Sequence, residues 1–235
     1  IGFAYSSLPA FQELRTRESL GQVIRVRASN GQIVLSLGPI YGEWIDYPKI
    51  PDVMVDAMVS VEDRRFRMHP GVDPIGLARA VQVRITRGHW AQGGSTITQQ
   101  LARNLFLTNT RTFGRKGREL VLALAMEAKY SKDEILELYL NEIFLGSGSY
   151  GVAAAAYNYF DKSLDQLTIA ETAYLAGLPK APSSYHPVRQ YKKAIERRNY
   201  VIERMAENQF ISDEDAKSAM AEDLIPHFRP AGAQS

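Results

Sequence analysis

The chain has 235 residues, 45% of them hydrophobic and 23% charged, with a formal net charge of +2 and no cysteine. That balance excludes a disordered chain and a multi-span membrane protein, and the length allows one large core or two small ones. Without cysteine there is neither a disulfide framework nor a thiolate metal site.

Residues 1–22 show no period and read as irregular. No stretch approaches the ~18 apolar residues of a membrane span. The opening Ile1-Gly2-Phe3-Ala4-Tyr5 lacks the charged n-region and long h-region of a signal peptide, and its abrupt apolar start suits a chain cut just after an anchor. Two alternating runs, 23–28 and 32–37, flank Asn30-Gly31 and predict a hairpin that ends at Gly38-Pro39. From Pro51 onward the pattern is helical. Val53, Met54, Ala57, Met58 and Val61 recur at three and four residues, so one face of a helix ending at Glu62 is apolar. Asp73-Pro74 caps a helix from Ile75 to about Thr86, and Ser95 or Thr96 caps Ile97–Leu105. Arg115–Tyr130 reads as a strong helix, and Ser131 with Glu134 as a capping box that opens the next. Gly146–Gly151 reads as a tight connection to Val152–Phe160, since it lacks the lysine and preceding strand of a P-loop. Helices at about 168–178, 188–208 and 212–222 complete a mainly helical body, and nothing repeats at solenoid period.

The charge is unevenly spread. From Pro74 to Arg118 there is no Asp or Glu, against Arg79, Arg84, Arg87, Arg103, Arg111, Arg115, Lys116 and Arg118. Like charges repel unless something neutralises them, so this segment suggests an anionic ligand: nucleic acid, phospholipid headgroups or a diphosphate. Just before it, Glu62 and Asp63 close the apolar helix and Arg64, Arg65, Arg67 and His69 follow. A carboxylate at the end of a buried helix is partly desolvated, which raises its pKa and makes it a useful proton acceptor. A solvated ion-pair cluster is the competing account. Thr96, Gln100 and Arg103 form one polar stripe starting at a glycine-rich helix N-terminus, suited to an anion or a sugar, unless they are only the wet face of a surface helix. Arg115, Lys116 and Glu119 share a helix face. They make either a stabilising salt bridge or a second carboxylate held ionised by cations, available for charge stabilisation or a metal, with Glu127 a weaker candidate. Two carboxylates in different environments are the pattern of glycosyl-transfer chemistry.

Five motifs in order carry a resemblance. They are Glu62-Asp63-x-x-Phe66-x-x-His69-x-Gly71, then Gly94-Ser95-Thr96-Ile97-Thr98-Gln99-Gln100-x-x-x-Asn104, then Arg115-Lys116-x-x-Glu119. The fourth runs from Lys132 through Ile135-Leu136-Glu137-x-Tyr139-Leu140-Asn141 to Tyr159-Phe160-x-Lys162. The fifth is Leu167-x-x-x-Glu171-x-Ala173-x-Leu175-Ala176 with Pro179, Pro182 and Tyr185. Together they resemble the peptidoglycan glycosyltransferases of family 51.

The resemblance implies a mainly α, lysozyme-like domain of two lobes, the smaller facing the membrane, over residues 48–225. A linker with a short β-hairpin over 1–47 precedes it, and a tail or linker over 226–235 follows. It implies polymerisation of lipid II with inversion and release of undecaprenyl diphosphate. Glu62 would be the general base for the acceptor's 4-hydroxyl. Arg79, Arg103, Arg111, Arg115 and Lys116 would bind the diphosphate, and Thr96 and Gln100 sugar or phosphate. Glu119 would position the leaving group or help hold Mg²⁺ or Mn²⁺, with no organic cofactor. Asp63, Phe66, His69 and Asn104 would support the site. Trp90, Phe106, Leu107 and Phe113 either dip into headgroups or pack in the core. Implied partners are lipid II, the growing glycan strand, the inner-membrane surface and a transpeptidase domain outside this chain, with no nucleic acid. The implied location is the periplasmic face of the cytoplasmic membrane. Two other readings stay open: a hydrolase on the same fold, which has no use for a basic diphosphate site, and a non-catalytic lipid II-binding module.

Overall fold

The computed structural model describes residues 2–15, 24–27, 33–37, 40–87, 94–107 and 113–228. The first segment departs from the irregular reading: α1 (Gly2–Ser7) and α2 (Phe11–Arg15) are helical. Helices of one or two turns are unstable alone, and these persist by docking. Leu8 and Leu14 are buried, Lys129 donates to the Leu8 carbonyl, and the Tyr130 hydroxyl donates to that of Pro9. The hairpin forms as expected from β1 (Ile24–Arg27) and β2 (Ile33–Leu37), antiparallel with Ile24 opposite Leu37. The Asn30-Gly31 turn lies outside the described residues.

A second pairing was not foreseen. β3 (Ile40–Tyr41) runs parallel to the two-residue β4 (Ser149–Tyr150). After β3 the chain lies as a strap across α7 (Lys132–Glu142). Buried Glu137 accepts from the Trp44 indole and the Tyr47 N–H, both at 2.8 Å, while Asn141 exchanges two hydrogen bonds of 2.9 Å with the Ile45 backbone.

The core collects around α3 (Asp52–Glu62), which packs on α9 (Ile169–Gly177) and α10 (Tyr191–Glu207). The apolar face of α3 is wider than its sequence period shows, since Val55 and Val59 are buried with Met54, Ala57 and Met58. α5 (Ile97–Phe106) sits between α6 (Phe113–Lys129) and α7, and Phe106 packs against the core. α8 (Val152–Phe160) and α11 (Asp213–Ala221) close the larger lobe. Capping boxes at Thr96–Gln99, Ser131–Glu134 and Thr168–Glu171 satisfy the N-terminal donors of α5, α7 and α9. α4 (Pro74–Arg87) exposes Ile75, Leu77, Val81 and Ile85 and is tied at its start by Asp73, which caps the Gly76 N–H at 3.0 Å.

Gly151 joins α7 to α8 at φ +82°, and a Cβ there would lie 2.4 Å from the Asn141 carbonyl oxygen. Gly151→Ala should therefore cost about 2–3 kcal/mol from strain and displacement of α7. Chemical denaturation checks this, with a lowered midpoint and an unchanged slope as the expected result.

Candidate active site

The C-terminus of α3 delivers Glu62 to a cleft whose lining also includes Arg64, Arg79, Ser95, Tyr200 and Arg204. The Glu62 side chain keeps 12% exposure. Its Oε2 accepts a 2.8 Å hydrogen bond from Gln100 Nε2, and its Oε1 lies 3.8 Å from Arg197 Nη2. Burial pushes the Glu62 carboxyl above the usual carboxylate range. The Gln100 hydrogen bond and then the Arg197 and Lys180 charges oppose that rise, while the Asp63 charge adds to it. The result is a carboxylate reachable from the cleft with raised proton affinity, which is what a general base needs.

Asp63, the next residue, faces the other way and is buried. Its Oδ2 accepts from the Ile97 N–H at the start of α5 at 3.0 Å, and its Oδ1 pairs with His69 Nε2 at 2.8 Å. His69 Nδ1 accepts from the Gly71 N–H at 3.1 Å, so in the neutral ring the proton sits on Nε2 and is donated to Asp63. One carboxylate thus fixes both the turn after α3 and the first turn of α5. Phe66 is fully buried beneath this turn, with Lys132 Nζ 4.3 Å from its ring centroid. Lys132 in turn donates to the His69 carbonyl and pairs with Glu127, whose carboxylate also accepts from the Thr98 hydroxyl. Glu127 is therefore part of this support.

Thr96 is buried, its hydroxyl donating to the Gly71 carbonyl at 2.6 Å and accepting from the Gln99 N–H at 3.1 Å. Those bonds build the wall of the cleft. Gln100 likewise spends its amide on protein: Nε2 on Glu62 and Oε1 on the Tyr139 hydroxyl at 3.1 Å. Burial, and after it the Glu62 charge, hold the Tyr139 phenol well above its usual value, so it is a neutral donor. Arg103, a turn further along α5, is partly buried and its charge opposes that rise, while Asn104 is exposed.

The cationic part of the site starts at α6. Lys116 Nζ bridges Ser95 Oγ and Glu119 Oε2, each at 2.8 Å, and Arg115 Nε lies 3.3 Å from Glu119 Oε1. Glu119 is 1% exposed, whereas the Lys116 side chain is 50% exposed. Glu119 thus aims an accessible ammonium at the cleft edge through Ser95. Both its oxygens face cations, and among the described residues no group of three His, Asp or Glu side chains gathers to hold a metal. The surroundings of Glu119 do not fit Mg²⁺ or Mn²⁺. Arg79 is exposed on α4 and lines the cleft; Arg111, Trp90 and the Phe113 side chain lie outside the described residues.

Two contributors had no role in the sequence reading. Tyr139 stands within a quoted motif but is one aromatic in an apolar helix. Arg197 sits in an ordinary-looking basic helix face, yet it is 9% exposed, donates to the Gly177 carbonyl and stacks near Tyr185 and Tyr200. Only the fold brings either to Glu62.

Comparison with known proteins identifies the family. The profile of the family described as Transglycosylase matches residues 30–206. Penicillin-binding protein 1A of Haemophilus influenzae is 46% identical over 215 residues, 92% of this chain and 25% of that protein. Penicillin-binding protein 1A of Escherichia coli K12 is 45% identical over 205 residues, 87% of this chain and 24% of that protein. The chain thus spans about a quarter of the length of these relatives. The crystal structure of the Haemophilus influenzae protein superposes on 93% of this chain and 23% of its own, with a TM-score of 0.55 and 28% identity at the superposed positions. The chain belongs to the transglycosylase family, the peptidoglycan glycosyltransferase domains of lysozyme-like fold.

Proposed function

We propose that this domain extends glycan strands from lipid II, with Glu62 as general base. The carrying observation is the Glu62 carboxylate, desolvated, clamped by Gln100 and open to a cleft lined by Ser95 and Arg79, with Lys116 hydrogen-bonded to Ser95 at its edge. Glu62 removes the proton of the acceptor's 4-hydroxyl as that oxygen bonds to C1 of the donor's MurNAc. The C1–O bond to the diphosphate breaks with inversion, and the electron pair leaves on the lipid diphosphate. Lys116, with Arg79 at the cleft, offsets the charge that grows there. Arg103 and Arg111 extend the same basic segment. Glu119 acts by orienting Lys116.

The domain boundaries proposed are 48–225, with 1–47 as linker and 226–235 as tail. Burial of Leu224 and the hydrogen bonds from Arg198 to the Met220 and Glu222 carbonyls favour including α11. No helix of the described residues is long and apolar enough to cross a membrane. The exposed apolar side chains of α4 support work at the periplasmic face of the cytoplasmic membrane, alongside a transpeptidase domain outside this chain.

The test is lipid II polymerisation with products resolved by length. Lys116→Met should lower kcat/KM by about tenfold to a hundredfold, the worth of one charge-assisted hydrogen bond to the leaving group. Free disaccharide in place of polymer would favour the hydrolase reading. Bound lipid II that is never turned over would favour the binding module.

A further inference from the structure

Tyr139 does not line the cleft, yet its hydroxyl reaches the base through one intervening side chain, the Gln100 amide. It is fully buried on α7, and the described hydrogen bond of its hydroxyl runs to Gln100 Oε1 at 3.1 Å. A glutamine amide has two faces of opposite hydrogen-bonding character, and a half-turn of its end group exchanges them. Turned one way, Gln100 presents N–H to Glu62 and its carbonyl to the phenol. Turned the other way, it presents its carbonyl to Glu62, an arrangement that repels a carboxylate and accepts only from a protonated carboxylic acid. A buried phenol has one proton to donate, and leaving it without an acceptor is unfavourable. The carbonyl of Gln100 is that acceptor only in the first orientation.

We infer that Tyr139 is a positioning residue: it fixes which face of the Gln100 amide meets Glu62 and so keeps the base ionised and oriented for proton removal. This rests on the reading of Glu62 as the base. The other charged groups around Glu62 are Arg197 from α10, Lys180 from the turn after α9, and Asp63 beside it; Arg103 acts on the Tyr139 side. All of these stay in place when only the phenolic oxygen is removed.

The experiment is a carboxyl ¹³C NMR titration of Glu62 in this chain, assigned by the signal lost in Glu62→Gln, for wild type and Tyr139→Phe. Lipid II polymerisation is then followed across the same pH range. In Tyr139→Phe the Glu62 midpoint should rise. Polymerisation should fall roughly threefold to tenfold on the acidic side, one neutral hydrogen bond's worth, and recover as pH rises. In a Gln100→Leu background Tyr139→Phe should move neither quantity. An unchanged midpoint in Tyr139→Phe, or an equal shift in the Gln100→Leu background, overturns the inference, and the first would leave Tyr139 a packing residue. Because the titration needs no substrate, it reads the relay even if wild type makes no glycan, an outcome that would instead count against the proposed activity.

Discussion

Glu62→Gln should lower the rate of lipid II polymerisation by about 10²–10⁴, the usual range for loss of general-base catalysis. The amide keeps the shape of the side chain and its place beside Gln100 but cannot take the acceptor's proton. Binding of lipid II should be little changed, so the loss belongs in kcat. A variant retaining more than a tenth of the wild-type rate would remove Glu62 as the base. The same variant has a second expected signature, in stability. Burial raises the folded-state pKa of Glu62. Such a group supports the fold fully below its unfolded pKa, and that support is lost as pH rises through the folded value. Glu62→Gln removes this loss. Its melting temperature relative to wild type should climb as pH rises from the usual carboxylate range through the raised Glu62 titration, even as activity vanishes. Opposite directions for stability and activity are what a base held in an unfavourable environment predicts.

Asp63→Ala should be the more damaging change to the fold. It leaves the Ile97 N–H and the His69 Nε2–H without acceptors in a site where Asp63 and His69 are both buried. Each orphaned donor costs about 1–3 kcal/mol, so roughly 3–5 kcal/mol together is expected. For a chain of this size that lowers the melting temperature by roughly 10 °C, measurable by calorimetry. Asp63→Asn tests the explanation. Its carbonyl can keep the Ile97 bond, but its NH₂ meets the Nε2–H that the Gly71 N–H enforces on His69. It should therefore lose part of the stability and not all. A neutral Asp63→Ala would mean the turn after α3 is held by Phe66 packing and the Lys132 contact to the His69 carbonyl without need of the carboxylate.

The sequence disclosed what is set locally. The apolar spacing of α3 announced a buried helix with a carboxylate at its end, and the pairs Thr96–Gln99 and Ser131–Glu134 announced helix starts, because caps depend on residues three apart. The stripe Thr96, Gln100 and Arg103 was visible too, but its use was not. Thr96 turns to a carbonyl 25 residues away and Gln100 to a carboxylate 38 away, and no helical period records those partners. The same blindness hid α1 and α2, which are too short to show a period, and the pairing of β3 with β4, two residues on each side. Lys116 and Glu119 were legible as a pair; that Ser95 completes them was not.

The strap over α7 has a consequence for the motions of the enzyme. Glu137 and Asn141, one turn apart, grip residues 44–47, while Tyr139 projects from the opposite side of the same helix toward Gln100. Strap, helix and the Gln100 amide beside Glu62 therefore belong to one hydrogen-bonded frame, so loosening the strap is expected to loosen the amide as well. On the proposed mechanism, the free energy that keeps the strap down is also free energy that keeps thermal agitation from blurring the position of the carboxylate that takes the attacking hydroxyl's proton.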